Sequence, residues 1–561
     1  MNQETNTSGL GAWPLSRRLW AAALVVWLVA AVVYLPKIGN SFAFDDRIFI
    51  QTDPHLRSFS GALAEFGRDQ ARLYRPLRSV VLAVFVKLFG VERSLPYHFA
   101  GIFFHATLAA LVFLIVWLLR RRATTALVAG LVFALHPVHA DRVANITGSF
   151  DLVGLMLGYG ALAAALWYDR RGSAGRMWLA AVLFALACLA SEEALMVWPM
   201  LAGAFFVIEG ERRRRIGLLA VWAATGLAYL GTRALVLGGV GRTVEYAAGG
   251  LFASICTMAV IFWRYVGLLL WPVGLSPAYG PHIYEGFAWP VILGLAGIVG
   301  LAVLLIALRR RQPAVTLAIG WLFLGLAPFS NLLPGDTLMA ERYLYAALGG
   351  FALSVGWLTE RLARRPKIVA AALAVLFVVY GAATVQRDRV WGDPLTLWTQ
   401  AAQRESSSFL ANLNAGYHTL RANHFAEAEQ YALRAHTLRR DRAEPLMQLG
   451  EAAMRQDARS RGVDFLQRAV AADDTFCPAY SALAQGYVMV GDFSKAGQTA
   501  EQAIACDAGE TQAHYVLAYL YVVAGQCEPA RPHLETILNI LPRPAEYPGA
   551  MQLRERCAGN R

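Results

Sequence analysis

Charge is scarce in this chain. Only 16% of its 561 residues are charged, while 57% are hydrophobic. That balance excludes an ordinary soluble globular protein and marks a membrane protein. Acids are the scarcer sign, with 39 Asp and Glu against 51 Lys and Arg, for a formal net charge of +12. A basic excess can signal nucleic acid, but the cations here fall in short clusters between apolar runs, as cytoplasmic loops do, so the charge reports topology first. Cysteine is sparse too. Six residues are too few for a disulfide framework in a chain this long, and Cys188 and Cys256 lie inside apolar runs, as small hydrophobes do. Cys477, Cys506, Cys527 and Cys557 share the polar C-terminal part, where disulfides are open if that part is extracytoplasmic. A convincing small-residue cleavage site is missing as well: Arg17 and Arg18 precede an apolar run from Leu19 to Leu35 that reads as an uncleaved first span.

What is abundant is apolar length. Segments near the ~20 residues needed to cross a bilayer occur at 19–36, 97–119, 123–138, 150–168, 177–190, 194–209, 216–237, 251–271, 288–308, 314–333, 342–358 and 367–384. Basic clusters stand at Arg17-Arg18, Arg120 to Arg122, Arg170-Arg171 with Arg176, Arg212 to Arg215, Arg309 to Arg311 and Arg361 to Lys367. If all are cytoplasmic, an even number of crossings must separate neighbours. Only the interval from Arg215 to Arg309 breaks this rule, because it holds three segments. The weakest of them, 251–271, carries Arg264 and is expected to be re-entrant or interfacial. The expectation is an all-α polytopic bundle of about 11 spans with the N-terminus inside and the C-terminus outside. The loops at 37–96, 139–149, 191–193, 238–287 and 334–341 then face out.

After Tyr380 the chain turns polar and Ala-rich, and a 34-residue step appears. Gly416, Gly450, Ala484 and Ala518 keep it, as do Ala428, Gly462, Ala496 and Ala530, and Ala435, Ala469, Ala503 and Ile537. Small residues at this period resemble the tetratricopeptide repeat, whose paired helices cross closely and stack into a superhelix. Cys477 and Cys506 begin and end one such helix pair, which could bring them close. The domain reading is 1–18 a cytoplasmic N-terminus, 19–384 the membrane domain, 385–405 a linker and 406–561 the repeats, outside the membrane.

Carboxylates bordering spans are functional candidates, because charge next to hydrocarbon is costly. The first outer loop has the pair Asp45-Asp46 in "SFAFDDRIFI", then "LYRPLRSV" with Arg75, whose planar fork suits a phosphate or a carboxylate. His98 and His105 follow, seven apart on one helix face. "HPVHADRVANITGSFDLVG" packs His136, His139, Asp141, Arg142, Asn145 and Asp151 into one turn. His and carboxylate side chains are ordinary metal ligands, so a divalent metal is an option there. Glu193 in "SEEALMVWP" and Glu341-Arg342 in "NLLPGDTLMAERYLY" place charge at the outer membrane edge, Arg342 where it can hold a lipid phosphate.

Taken in order, "FAFDDRIFI", "YRPLRSV", "HPVHADRVANITGSFDL" and "NLLPGDTLMAERYLYAALGGF", followed by the repeats, resemble the GT-C superfamily of polytopic glycosyltransferases, and most closely the transmembrane and tetratricopeptide-repeat-containing protein O-mannosyltransferases. The resemblance covers nearly the whole chain. It implies a groove for a polyprenyl-phosphate sugar donor and outward repeats that hold an acceptor polypeptide. It also implies a general base at Asp45 or Asp46, with Arg75, Arg342 and Arg142 at the donor phosphate. His136, His139, Asp141, Asp151, Glu193 and Glu341 form the supporting polar cluster. One departure stands out: Ser191-Glu192-Glu193 replaces the Lys-Glu pair usual in relatives, and Arg142 or Arg264 is expected to supply the missing cation. Two other readings remain open, a glycosyltransferase acting on a lipid or surface glycan and a non-catalytic scaffold organising an envelope complex.

Overall fold

The computed structural model describes residues 17–42, 46–51, 53–68, 73–208, 210–239, 246–335, 337–540 and 548–559. The architecture is helical, as expected, in two parts: an apolar bundle and a C-terminal stack of helix pairs. Local chemistry sets the boundaries of the helix that positions the site, Ile146–Arg171. The Asn145 side chain caps its start by accepting from Gly148 N at 3.2 Å, and Gly172 ends it in the left-handed region with φ of 61°.

Six helices are long and apolar enough to cross a membrane: Leu95–Arg120, the helix starting at Ile146, Arg212–Leu237, Leu251–Leu270, Trp289–Leu308 and Pro366–Trp391. They become seven if the bent pair Ala123–Leu135 and Pro137–Ala144 is one span, against about eleven expected. The expected segments 19–36, 177–190, 194–209, 314–333 and 342–358 become helices of 17, 17, 11, 14 and 18 residues, short of the ~20 that a crossing needs.

The segment expected to be re-entrant or interfacial is unbroken, and the bend in the bundle lies at another place. Leu251–Leu270 is one continuous 20-residue helix, and the break falls at Pro137, where the axis bends by 47°. Proline lacks the N–H that would continue the helix and pushes the preceding residue towards extended backbone; His136 has ψ of 125°. Arg264 does not disqualify its helix, because its guanidinium pairs with Glu405 and lies 4.7 Å over the Tyr279 ring.

The helix beginning at Ile146 is the centre of the bundle, 83% buried over its most apolar stretch, whereas the corresponding stretches of Trp289–Leu308 and Pro366–Trp391 are only 11% buried. Gly154 lets the 191–193 turn press against the central helix: a Cβ there would meet Ser191 Cβ at 2.4 Å.

The repeats follow the sequence step. Their first helices start at Phe409, Ala443, Cys477 and Thr511, each 34 residues after the last, and each is followed by an antiparallel partner. The small residues sit at the crossings; Ala428, Ala435, Ala469, Ala484, Ala496, Ala503, Ala518 and Ala530 are all fully buried. Disulfides join Cys477 to Cys506 and Cys527 to Cys557, while Cys188 and Cys256 are buried thiols. Residues 385–405 hold the end of Pro366–Trp391 and the helix Pro394–Arg404.

The first repeat is seated on the bundle. Trp391, Leu397, Trp398, Ala411 and Tyr431 share a core with Ala140, Ala144 and Ala278 of the bundle's loops. Gly280 passes so close that a Cβ would lie 2.4 Å from Ser408 N, and the Ser407 hydroxyl donates to Gly280 O at 2.7 Å.

Candidate functional site

A cavity of about 560 Å³ opens beside the N-terminal end of the central helix. Five arginines, Arg75, Arg78, Arg142, Arg233 and Arg342, and three carboxylates, Asp151, Glu192 and Glu193, line it. Leu195, Met196, Leu230, Pro328, Phe329 and Leu333 supply apolar wall. This mixture of cations and apolar surface suits an anionic head attached to an apolar body.

The charged groups form one network. Arg75, at the N-cap of Pro76–Phe89, grips Glu192 through two parallel bonds, Nε to Oε2 and Nη2 to Oε1, each 2.8 Å. Its Nη1 lies 2.8 Å from Asp151 Oδ1, which also accepts from Arg78 Nη1 at 2.9 Å. Arg142 donates to Glu193 and stands 3.7 Å from the other Asp151 oxygen. Burial alone would raise the Glu192 carboxyl, but the Arg75 guanidinium beside it holds it well below the usual range. A carboxylate that stays ionised keeps its arginine pinned in place.

Asp46 stands at the edge of this cavity and is buried. Its Oδ1 accepts from the Thr147 backbone N at 2.8 Å and hydroxyl at 2.7 Å, and Thr147 lines the cavity. Asp45 lies outside the described residues. Arg342 is one-third exposed; its backbone N donates to Asp141 Oδ2 at 3.0 Å, so Asp141 holds the strand of chain that aims Arg342.

Thus Arg75, Arg142, Arg342, Asp151 and Glu193 line one cavity, with Asp46 and Asp141 bonded to its walls. Glu341, His136 and His139 are not among the lining residues. Glu341 is fully buried, accepts from Tyr279 OH at 3.2 Å and Arg387 Nη2 at 3.3 Å, and burial pushes its carboxyl up to about 8 against the pull of Arg387. His136 Nδ1 accepts from Val138 N at 3.3 Å, leaving Nε2 to donate to Leu269 O at 3.1 Å. His139 packs against the rings of Phe133 and Tyr345, at 4.5 and 4.1 Å. His98 and His105 share a helix face but part company in their bonds, to Asn40 O at 3.0 Å and to Tyr345 OH at 2.7 Å. Among the described residues, no group of three or more His, Cys, Asp or Glu side chains could hold a metal ion.

Several site residues are absent from the expectation. Arg78 follows Arg75 by three residues, one helical turn, and Arg233 is a lone cation in an apolar run; both signals are visible in retrospect. Glu192 takes its partner from Arg75, 117 positions away, which no local pattern shows. Lys37 is fully buried and donates to Val143 O, which no local pattern shows. Of the two cations named as stand-ins for the missing Lys, Arg142 pairs with Glu193 and Arg264 with Glu405 at the repeat junction.

No protein-family model matches the chain. Among characterised proteins, it is 24% identical over 406 residues to the protein O-mannosyl-transferase F38B6.6 of Caenorhabditis elegans, covering 67% of this chain and 56% of that protein. It is 24% identical over 483 residues to protein O-mannosyl-transferase TMTC3 of Mus musculus (73% and 50% covered), and 24% over 434 residues to TMTC4 of Homo sapiens (64% and 58%). The chain thus spans about half the length of these relatives. Among solved structures, MamA aligns with 28% of this chain and 92% of its own, at 20% identity and a TM-score of 0.24. The TPR protein YrrB aligns with 33% and 91%, at 18% identity and a TM-score of 0.23. The resemblance to the transmembrane and tetratricopeptide-repeat protein O-mannosyltransferases, read from the ordered motifs, is matched by these sequence relatives.

Proposed function

We propose that this chain is a membrane glycosyltransferase that moves a sugar, mannose, from a polyprenyl-phosphate donor to Ser or Thr hydroxyls of exported polypeptides. The observation that carries the reading is the arginine-rich cavity with an apolar wall, beside a buried aspartate, in a chain similar to proteins named O-mannosyl-transferases. In this reading the donor phosphate lies among Arg75, Arg142 and Arg342. The acceptor oxygen bonds to the sugar's anomeric carbon as the bond from that carbon to the phosphate oxygen breaks. The electron pair leaves on the phosphate, where guanidinium groups stabilise the growing charge. The hydroxyl proton passes to the carboxylate of Asp46 or Asp45, a step worth roughly 10²- to 10⁴-fold.

The outward orientation belongs to the same proposal. Disulfides persist in oxidising compartments, so the Cys477–Cys506 and Cys527–Cys557 bridges support repeats outside the cytoplasm. The seating of the first repeat on the loops at Ala140 and Ala278 supports delivery of a repeat-bound acceptor to the same face. The test is transfer of labelled mannose from polyprenyl-phosphate-mannose to an acceptor polypeptide by the purified chain. Wild type should transfer, and Asp45→Asn or Asp46→Asn should not. Equal transfer by all three would sink the base assignment.

A further inference from the structure

The loop 275–280 lies between the chain that enters the first repeat and the turn that carries Arg342. Residues at the end of Pro394–Arg404 and just beyond it grip one side of the loop. Arg404 Nη1 donates to Leu275 O at 2.9 Å, Gly280 N donates to Glu405 Oε2 at 3.3 Å, and the Ser407 hydroxyl donates to Gly280 O at 2.7 Å. The other Glu405 oxygen accepts from Arg264, whose guanidinium covers the Tyr279 ring at 4.7 Å. Both ends of the loop and the face of its aromatic ring are thus held from the repeat side.

The Tyr279 hydroxyl joins the loop to the other side. Its oxygen accepts from Ser276 N at 3.3 Å, which leaves its proton for Glu341 Oε1 at 3.2 Å. Glu341 is fully buried, and Arg342 follows it in the single turn Glu341–Tyr343. Ala340 N donates to Tyr265 OH at 3.1 Å, Arg342 N donates to Asp141 Oδ2 at 3.0 Å, and the Tyr343 ring stacks on Phe329 at 3.9 Å. Arg342, Tyr343 and Phe329 all line the arginine cavity. A ring that only filled the loop would need no hydroxyl. Burying one costs free energy unless it is bonded, and this one's bonds run to its own loop and to the neighbour of Arg342.

We propose that Tyr279 is a positioning residue for Arg342, and that Glu405 sets its place, so that the phosphate site is complete only while the first repeat is seated on the bundle. Glu405 fixes Gly280 and Arg264, these fix Tyr279, and Tyr279 together with Arg387 fixes Glu341. Arg342 is about one-third exposed, so the place of its guanidinium follows from the backbone turn beneath it. The phosphate role of Arg342 is that of the functional reading above, on which this inference rests. Retention of the donor then depends on the domain that holds the acceptor.

The test uses the full-length protein in detergent and has two readouts. The first is hydrogen–deuterium exchange of the backbone amides of Ala340 and Arg342, which involves no donor. Tyr279→Phe and Glu405→Ala should each speed that exchange about fivefold, as loss of one hydrogen bond from a held turn would. Tyr279→Phe removes a single oxygen atom and keeps the ring, so it decides the case if Glu405→Ala does not fold. Exchange as slow as in wild type would overturn the proposal. The second readout is binding of tritiated geranylgeranyl phosphate. Arg342→Gln should weaken it about tenfold and Tyr279→Phe about threefold, and Tyr279→Phe should add nothing to Arg342→Gln, because a positioning residue then has nothing left to position. A threefold loss that persists in the Arg342→Gln background is general loosening of the cavity and would overturn the proposal as well. Equal binding by wild type and Arg342→Gln would instead sink the phosphate reading of Arg342, while the exchange rates still decide whether Tyr279 and Glu405 hold its turn.

Discussion

Asp46 Oδ1 accepts two hydrogen bonds from Thr147, one from the backbone N–H at 2.8 Å and one from the hydroxyl at 2.7 Å. Thr147 is the second residue of the central helix, so Asp46 reaches across 101 positions to satisfy an N-terminal amide. The same carboxylate is therefore a helix cap and a candidate base, and the two roles separate by substitution. An amide oxygen can still accept from Thr147 but cannot take a proton. Asp46→Asn should keep most of the stability while lowering transfer at least ~100-fold, and Asp46→Ala should lose transfer and also about 1 kcal/mol of stability. Thermal unfolding and mannose transfer measured on both variants check this; an active Asp46→Asn protein would leave only the cap.

The pair Arg75 and Glu192 should give the protein an acid-sensitive stability. Glu192 is held below its ordinary value of 4.5 in the folded state, so its contribution is present above pH 4.5 and is lost as pH falls through the lower folded value. Melting temperature should drop on acidification below about pH 4.5, and Glu192→Gln should flatten that drop. Glu192→Gln also weakens the grip on Arg75, so the Michaelis constant for the donor should change while a distant surface variant leaves it alone. A pH–melting curve unchanged by Glu192→Gln would contradict the assignment.

Glu341 should act with the opposite sign. Its folded value is raised from 4.5 to about 8, so the folded state binds more protons than the unfolded state between those limits. Its contribution is complete below pH 4.5 and is lost as pH rises through 8. Glu341→Gln keeps an acceptor for Tyr279 and Arg387 and removes the titration, so the variant should gain on wild type in melting temperature as pH climbs from 5 to 8. A constant difference across that range would show that Glu341 does not titrate there.

The sequence was most legible where one residue reports its own surroundings. A close helix crossing demands a small side chain at that place, so the 34-residue step located all four first helices, beginning at Phe409, Ala443, Cys477 and Thr511. Residue type and place single out Arg75 and Arg342 in the sequence and the family resemblance adds Arg142, and all three line one cavity. Pairings were not legible, because they join distant segments: Arg78 with Asp151 across 73 positions, Arg75 with Glu192 across 117, and Arg264 with Glu405 across 141. Without Glu405 in view, Arg264 reads as an unpaired charge in an apolar helix. The span count suffered for a related reason. Apolar composition marks burial as well as lipid, and Val197–Val207 is apolar throughout yet only 11 residues long.

The two disulfides offer a test of sidedness that is independent of activity. Cys477–Cys506 ties together the two helices of one repeat across 29 residues, and Cys527–Cys557 ties the last repeat's second helix to the closing helix Pro548–Gly559 across 30. Closing loops of this length stabilises the folded chain by about 3 kcal/mol each. Peptide mapping without reduction should recover both linked pairs, with Cys188 and Cys256 as thiols. Reduction should lower the melting temperature of the repeats, and Cys477→Ser with Cys506→Ser should reproduce part of that loss. Such bonds form in an oxidising compartment and are kept open by cytosolic thiols. Recovery of all four C-terminal cysteines as free thiols from membranes trapped with alkylating agent at lysis would place the repeats, and with them the arginine cavity beside the Ala140–Ala144 segment on which they are seated, on the cytoplasmic side, against the proposed outward orientation.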